Sequence, residues 1–368
     1  MYDQIREDTV YIMLYTVVTA MALIASCYLL FRQGNAFARD VTPPLRLRRW
    51  TAAFYAAFAL NHLWYMPIFF LSSSEDIMTF DLIGGLLDSM TFMPLAIIVL
   101  LTMLQDRHRP LWPVALMFAP LVVLGAFCVA TRSYAFQLIA YIYFLLMCMG
   151  LFIYMVRASK QYGRWLRDNY ADLEHKEVWQ SFVVLAIMLL VFVVYAFVGE
   201  GPAYQYAMQV ILVILICFLL WRVETLSDLT ENAVEDNCLV QTATCDRSAL
   251  PFGSSKNIGE LLQKHCVDTK LYLQNDLNLF QLANAIGTNR AYLTNYFARQ
   301  GISYNAYIND LRINHFISLY REAVASGHSF TARQLAHDSG YDSYSTFSNA
   351  FKHRMGQTVT AWMRDSAK

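Results

Sequence analysis

Three polar side chains interrupt long apolar runs and are the first candidates for chemistry: Asn61, His62 and Asp88. A carboxylate in such surroundings costs several kcal/mol unless it is paired, so Asp88 must face other protein groups or a cavity. The set could hold a small ligand or pass a proton, with Asp88 as the anion and His62 as the donor. The plainer alternative is a structural hydrogen bond between helices, or an Asp88 reached by water from a nearby surface. Motifs for other reactions are missing: no paired glutamates, no H-E-x-x-H, no G-x-S-x-G, no P-loop and no C-x-x-C occur. Seven cysteines are scattered, four of them in apolar runs (Cys27, Cys128, Cys148 and Cys217). Neither a disulfide framework nor a metal site is expected from them, and no catalytic residue or cofactor is expected either.

The elements that must position these groups are apolar segments. The 368 residues are 57% hydrophobic and 15% charged, with a mean hydropathy of +0.35, and the excess precedes Arg222. Spans are expected at Thr9–Phe31, Trp50–Leu71, Leu82–Leu104, Leu111–Ala130, Tyr134–Val156, Val178–Gly199 and Tyr204–Trp221. Each is close to the roughly 20 residues that a helix needs to cross the hydrocarbon core. Within them His62 would lie about 13 Å from the outer end of its helix and Asp88 about 9 Å deep, so the two could meet. Trp50, Trp64, Tyr65, Trp112, Tyr134, Tyr204 and Trp221 fall near span ends, where such rings anchor in the headgroup layer.

Charge sets the expected orientation. Arg32, Arg39, Arg46, Arg48, Arg49, Arg107, Arg109, Arg157, Lys160, Arg164, Arg167 and Lys176 occupy the connections on one side. Arg6 and Arg132 are their only counterparts on the other side. The basic side belongs in the cytoplasm. The N-terminus is then outside and, after seven crossings, the C-terminal part is inside. Pro67 and Pro94 could kink their helices, and the outer connections of ten, three and four residues leave no room for a separate sensor domain. The acidic N-terminus (Asp3, Glu7, Asp8) and the lack of a small-residue cleavage site mark the first span as retained rather than a signal peptide.

After the last span, Val223, Leu226, Thr230, Ala233, Asn237 and Val240 follow heptad-like spacing, which predicts a connector helix able to pair two copies, or an amphipathic helix packing on its own bundle. Residues 223–255 carry a net charge of −5 and would be repelled by anionic lipid and by DNA. Residues 242–256 read as a flexible tether of roughly 20 Å. Two later stretches then repeat one grammar. Asn278-Leu279-Phe280-Gln281-Leu282-Ala283 has Gly287 four residues after its alanine, and Thr331-Ala332-Arg333-Gln334-Leu335-Ala336 has Gly340 in the same place. Each starts with a cap residue and places Gln three later, a capping box. The alanine admits a crossing helix, and the glycine supplies the turn. The following helices carry Leu293 and Phe297, or Phe347 and Phe351, one turn apart.

This tail resembles the C-terminal DNA-binding domain of the AraC family of transcription regulators over about Ile258 to Arg364. The most specific part runs from Gly340-Tyr341-Asp342-Ser343-Tyr344-Ser345-Thr346-Phe347 to Phe351-Lys352 and Gly356. Tyr292-Leu293, Gly301, Tyr307 and Leu311-Arg312 also contribute, whereas Phe316, Val359 and Met363 depart from the usual pattern. The resemblance implies two helix-turn-helix subdomains joined by a long helix, here about Tyr304 to Ala325. The fusion of spans and tail looks like the integral-membrane AraC-type regulators. The expected fold is thus all-α: a seven-span transmembrane domain (1–222), a connector (223–255) and an AraC-type domain (256–368).

By the same resemblance, Arg290, Ala291, Thr294 and Asn295 of the first unit and Tyr344, Ser345, Thr346 and Asn349 of the second would read bases. Asn can pair bidentately with adenine, and Thr, Ala or an aromatic ring can meet a thymine methyl. Arg299, Lys352, His353 and Arg354 would hold phosphates. The tail's net charge of +4 is modest for DNA, so pairing of two copies would help through effective concentration. Expected partners are double-stranded promoter DNA, the lipid bilayer, RNA polymerase, a second copy of the chain, and an unidentified small molecule or membrane protein as signal. Only in a bacterial inner membrane does such a membrane domain share a compartment with the chromosome. The rivals are a membrane receptor or transporter whose tail is a protein-binding module, and an intramembrane enzyme using Asp88 and His62. Specific DNA protection by the tail separates them from a regulator.

Overall fold

The computed structural model describes residues 8–32, 35–37, 41–184, 187, 202–229, 255–327 and 329–366. Among them the protein is all-helical, with no strands beyond one isolated antiparallel bridge between Tyr170 and Asn278. It divides into two compact units. One takes in Met1–Tyr162 with Val178–Thr230, the other Gly163–Glu177 with Glu231–Lys368.

The first unit contains helices α1 (Thr9–Phe31), α2 (Leu45–Tyr65), α3 (Ser74–Met90), α4 (Phe92–Met103), α5 (Trp112–Thr131), α6 up to Tyr162 (the whole helix is Gln137–Asn169) and α7 (Pro202–Thr225). Among the described residues, five helical stretches are long and apolar enough to cross a membrane: Thr9–Phe31, Ser74–Met103, Trp112–Thr131, Gln137–Asn169 and Gln205–Thr225. These overlap the expected first, third, fourth, fifth and seventh spans. The described residues therefore contain five such helices and not seven. Helix α2 falls short because Arg46, Arg48 and Arg49 open it and Asn61 and His62 lie near its end. The expected sixth span, Val178–Gly199, falls mostly outside the described residues.

Close packing of α1 on α2 follows from small residues. Ala22, Ala25 and Ser26 on α1 and Ala52, Ala57 and Ala59 on α2 are buried, which lets two backbones approach, and Ser26 Oγ donates to the Ala52 carbonyl at 2.8 Å. Two prolines shape the ends of the apolar stretches. Helix α2 stops at Tyr65, short of the expected Leu71, where Pro67 leads into a 3-10 turn at Met66–Phe69. Helix α3 starts at Ser74, inside the segment expected to be an outer loop, and Glu75 and Asp76 favour its positive N-terminal end. The stretch then breaks at Thr91 (φ −123°, ψ −74°), because Pro94 cannot donate to a carbonyl one turn earlier and its ring collides there.

The connector also differs from expectation. Helix α7 ends at Thr225, and residues 226–229 are not helical. Leu226 and Leu229 are buried, and the Gln105 amide both donates to the Ser227 carbonyl (2.9 Å) and accepts from the Leu229 N–H (2.8 Å). Glu224, one of the acids behind the net charge of −5 over residues 223–255, is fully buried 3.3 Å from Arg48 and accepts from Tyr28 Oη at 3.2 Å. Helix α7 therefore does not run on through Leu226 to Leu229 as a pairing helix would; the rest of the expected connector, residues 230–254, lies outside the described ones.

The second unit contains α8 (Ser255–Leu262), α9 (Leu279–Ala285), α10 (Arg290–Gln300), α11 (Tyr304–Ser326), α12 (Ala332–Asp338), α13 (Tyr344–Met355) and α14 (Val359–Ser366). It has two cores. Leu262, Cys266, Leu282, Ala283, Leu293 and Phe297 form the first, with Tyr304 and Ile308 from the start of α11. Leu335, Ala336, Tyr341, Phe347 and Phe351 form the second, with Ile313, Phe316 and Tyr320 from the rest of α11. One long helix therefore serves both. Phe316, one of the departures noted in the sequence, fills the second core with its ring 4.5 Å from that of Phe347.

Candidate nucleic-acid interface

Each pair α9–α10 and α12–α13 is a helix-turn-helix built by local chemistry. In the first, Asn278 Oδ1 accepts from the Gln281 N–H (2.8 Å) and Gln281 Oε1 accepts from the Asn278 N–H (3.0 Å), a complete capping box. In the second, Thr331 Oγ1 accepts from the Gln334 N–H at 3.1 Å. Gly287 and Gly340 turn the chain at φ of +72° and +86°. Leu293 with Phe297, and Phe347 with Phe351, are buried as their spacing requires.

That burial decides which faces of α10 and α13 are left for a partner. Ala291, Thr294 and Asn295 on α10 and Ser345 and Asn349 on α13 are exposed, whereas Tyr344 and Thr346 are half-buried. Asn289 and Ser343 cap the two helices, their side chains accepting from the N–H groups of Tyr292 (2.9 Å) and Thr346 (3.2 Å). The candidate reading residues thus sit on the first turns and outer faces of two capped helices. Arg290 is half-buried; its Nε and Nη2 both donate to Asn169 Oδ1, at 2.9 and 2.6 Å, and burial lowers its guanidinium from the ordinary arginine value.

The phosphate candidates separate. Arg299, Lys352 and His353 are exposed. Arg354 is tied to α11, with Nε 2.8 Å from Asp310 Oδ1 and Nη1 donating to the Asp310 carbonyl at 2.9 Å. All four lie in the last turns of their helices, where cations also offset the helix dipole. Sequence reasoning named neither Ser343 nor Glu174 as part of this face. Ser343 and Thr346 both donate their hydroxyls to Glu174 Oε2. The S-x-x-T cap spacing could have marked Ser343; nothing in the sequence links Glu174 to a helix so far along the chain.

The polar cluster of the first unit rearranges one expectation. Asp88, 8% exposed, accepts from Asn61 Nδ2 at 2.6 Å and from Tyr65 Oη at 3.2 Å. His62 instead packs its ring 4.4 Å from that of Tyr15 and approaches the Phe58 carbonyl through Nδ1 at 3.3 Å. Neighbouring residues on a helix point about 100° apart, so Asn61 and His62 cannot both face Asp88. Tyr65, one turn beyond Asn61, takes the second donor position, and Gly84 leaves room for it: a Cβ there would sit 2.5 Å from the Tyr65 ring.

No curated protein and no solved structure matches the chain. A family model described as a helix-turn-helix domain matches residues 282–365, which include α10 to α13 whole, and identifies this part of the chain with DNA-binding transcription regulation.

Proposed function

We propose that the protein is a membrane-embedded, signal-responsive transcription regulator of the AraC type. The observation that carries the reading is the pair of capped helix-turn-helix units sharing α11, each with its own core and its second helix exposing hydrogen-bonding side chains. Helices α10 and α13 would enter adjacent major-groove segments N-terminal end first. Asn295 and Asn349 would read adenine, while Arg299, Lys352 and His353 position the unit on phosphates. Membrane embedding is supported by the five long apolar helices, and a cytoplasmic C-terminus by the arginine-rich connections. Two copies side by side in the membrane would offset the modest basic charge of the tail.

Gel-shift titration of the full chain in nanodiscs tests the DNA reading. Asn295→Ala and Asn349→Ala should each relax discrimination at one base position by about 1–3 kcal/mol while leaving non-specific binding unchanged. Equal loss on every sequence would remove them from base reading.

The Asn61–Tyr65–Asp88 cluster is the proposed place where a stimulus acts, through a change in how α2 and α3 pack. Asp88→Asn keeps the size of the side chain and removes its charge. In a reporter strain it should blunt the response to the inducing condition severalfold at unchanged protein level. A full response would leave the cluster a purely structural tie.

A further inference from the structure

We propose that residues 163–177 are a built-in competitor for DNA: Asn169 and Glu174 occupy one reading position on each recognition helix, so that the segment and an operator exclude each other. This rests on the reading of α10 and α13 as recognition helices.

The segment belongs to the C-terminal unit although more than fifty residues of chain separate it from the rest of that unit. It begins as the last turns of α6 and continues through the bridge residue Tyr170 and a bend at Ala171 to a turn over Glu174–Lys176. Its attachment is specific. Ala171, 1% exposed, is part of the first core. The Ala171 N–H donates to the Leu277 carbonyl (3.3 Å), and Asn305 Nδ2 donates to the Ala171 carbonyl (2.6 Å) and to that of Tyr170 (3.2 Å). Lys176 pairs with Asp276 at 2.8 Å. These bonds hold a register in which two further side chains meet the reading face.

On α10, Arg290 spends two donors on one oxygen of Asn169. That fork is what an arginine offers to a guanine edge or a phosphate. On α13, the Glu174 carboxylate accepts from Ser343 and Thr346 at the helix N-terminus, a position whose free N–H groups and dipole favour an anion. A DNA phosphate approaching the same turn would carry the same charge as Glu174, so both cannot be seated there. Ala291, Thr294, Asn295, Ser345 and Asn349 stay exposed beside these contacts. The segment thus covers part of the face and leaves the remainder formed.

The segment is also the direct continuation of α6, one of the five helices able to cross a membrane. A rotation or sliding of α6 would move Asn169 with it and open the face, at the cost of the contacts that Ala171 makes with the first core. Apparent affinity for DNA is the intrinsic affinity scaled by the open fraction, so weakening the clasp should tighten binding.

The test uses the full chain in nanodiscs, with genomic promoter fragments as probe and Asn169→Ala with Glu174→Ala as the double variant. Neither Asn169 nor Glu174 is itself among the residues assigned to DNA. The variant should bind about tenfold or more tightly. Independently of any variant, saturating DNA should speed amide hydrogen exchange at Tyr170 to Glu174 of the wild-type protein. Equal affinity of both proteins, or unchanged exchange while DNA is bound, would overturn the competitor and leave the DNA reading standing. If neither protein shifts any fragment although residues 170–174 are protected, the DNA reading fails and the competitor falls with it.

Discussion

Replacing Gly340 with alanine should destabilise the second helix-turn-helix subdomain by about 2–5 kcal/mol, a large share of the 5–15 kcal/mol typical of a domain. Two costs combine. At φ +86° an L-residue meets the left-handed penalty of roughly 1–2 kcal/mol. The new Cβ would also lie 2.8 Å from both Cα and O of Leu273, backbone atoms that cannot rotate away, and forced overpacking adds about 1–3 kcal/mol. Gly287 is the internal control. It has the equivalent turn at φ +72°, but nothing lies within 4 Å of an added Cβ. Gly287→Ala should therefore cost only the conformational part. Urea unfolding of the full chain, followed by limited proteolysis across α12 and α13, checks the difference. Equal midpoints for the two variants would show that the approach to Leu273 does not matter.

Arg312→Met should cost about 2–5 kcal/mol for a different reason. Arg312 is a large side chain only 1% exposed, in the middle of α11 between the two cores. Its Nε donates to the Tyr272 carbonyl (2.7 Å) and its Nη2 to the Gln274 carbonyl (2.8 Å), and the guanidinium lies 5.4 Å from the centre of the Tyr341 ring. Methionine fills similar space but strands the buried Tyr272 carbonyl, worth about 1–3 kcal/mol when left unpaired, and also removes the donor to the part-buried bond at Gln274. Arg312→Lys should not rescue, because a single ammonium cannot reproduce the planar fork. Burial lowers the Arg312 guanidinium from the ordinary arginine value, so part of the charge's own desolvation is regained on its removal, which limits the net loss. Thermal denaturation should show both variants melting well below wild type; a lysine variant as stable as wild type would assign Arg312 to mere charge.

The helix-turn-helix pairs were legible because their signals are local. A cap three residues before Gln, an alanine, a glycine four further on and an aromatic pair one turn apart each act within a few residues, and α9 to α13 appear where that grammar puts them. The second role of Gly340 was not legible, since Leu273 is far away in the chain and only the fold brings it near. Long-range pairing also explains the errors. Glu224 counted toward the charge of a segment repelled by lipid and DNA because the sequence does not show Arg48 waiting for it. The segment 163–177 read as a loop between spans because its arginines and its place between apolar runs said so; Ala171 and Glu174 carry no local mark of where they pack. His62 read as the partner of Asp88 by depth alone, whereas the direction of side chains around the helix favours Asn61 and Tyr65.

The central claim is that the C-terminal unit of this chain reads specific DNA while the rest of the chain sits in the membrane. Cross-linking the intact, membrane-inserted protein to the genome and sequencing the recovered fragments tests it most directly, with the Asn295→Ala, Asn349→Ala double variant as control. Wild type should enrich discrete sites whose two protected major-groove segments lie about one helical turn, roughly 34 Å, apart, and the variant should lose them. Fragment coverage no different between the two proteins would contradict the claim.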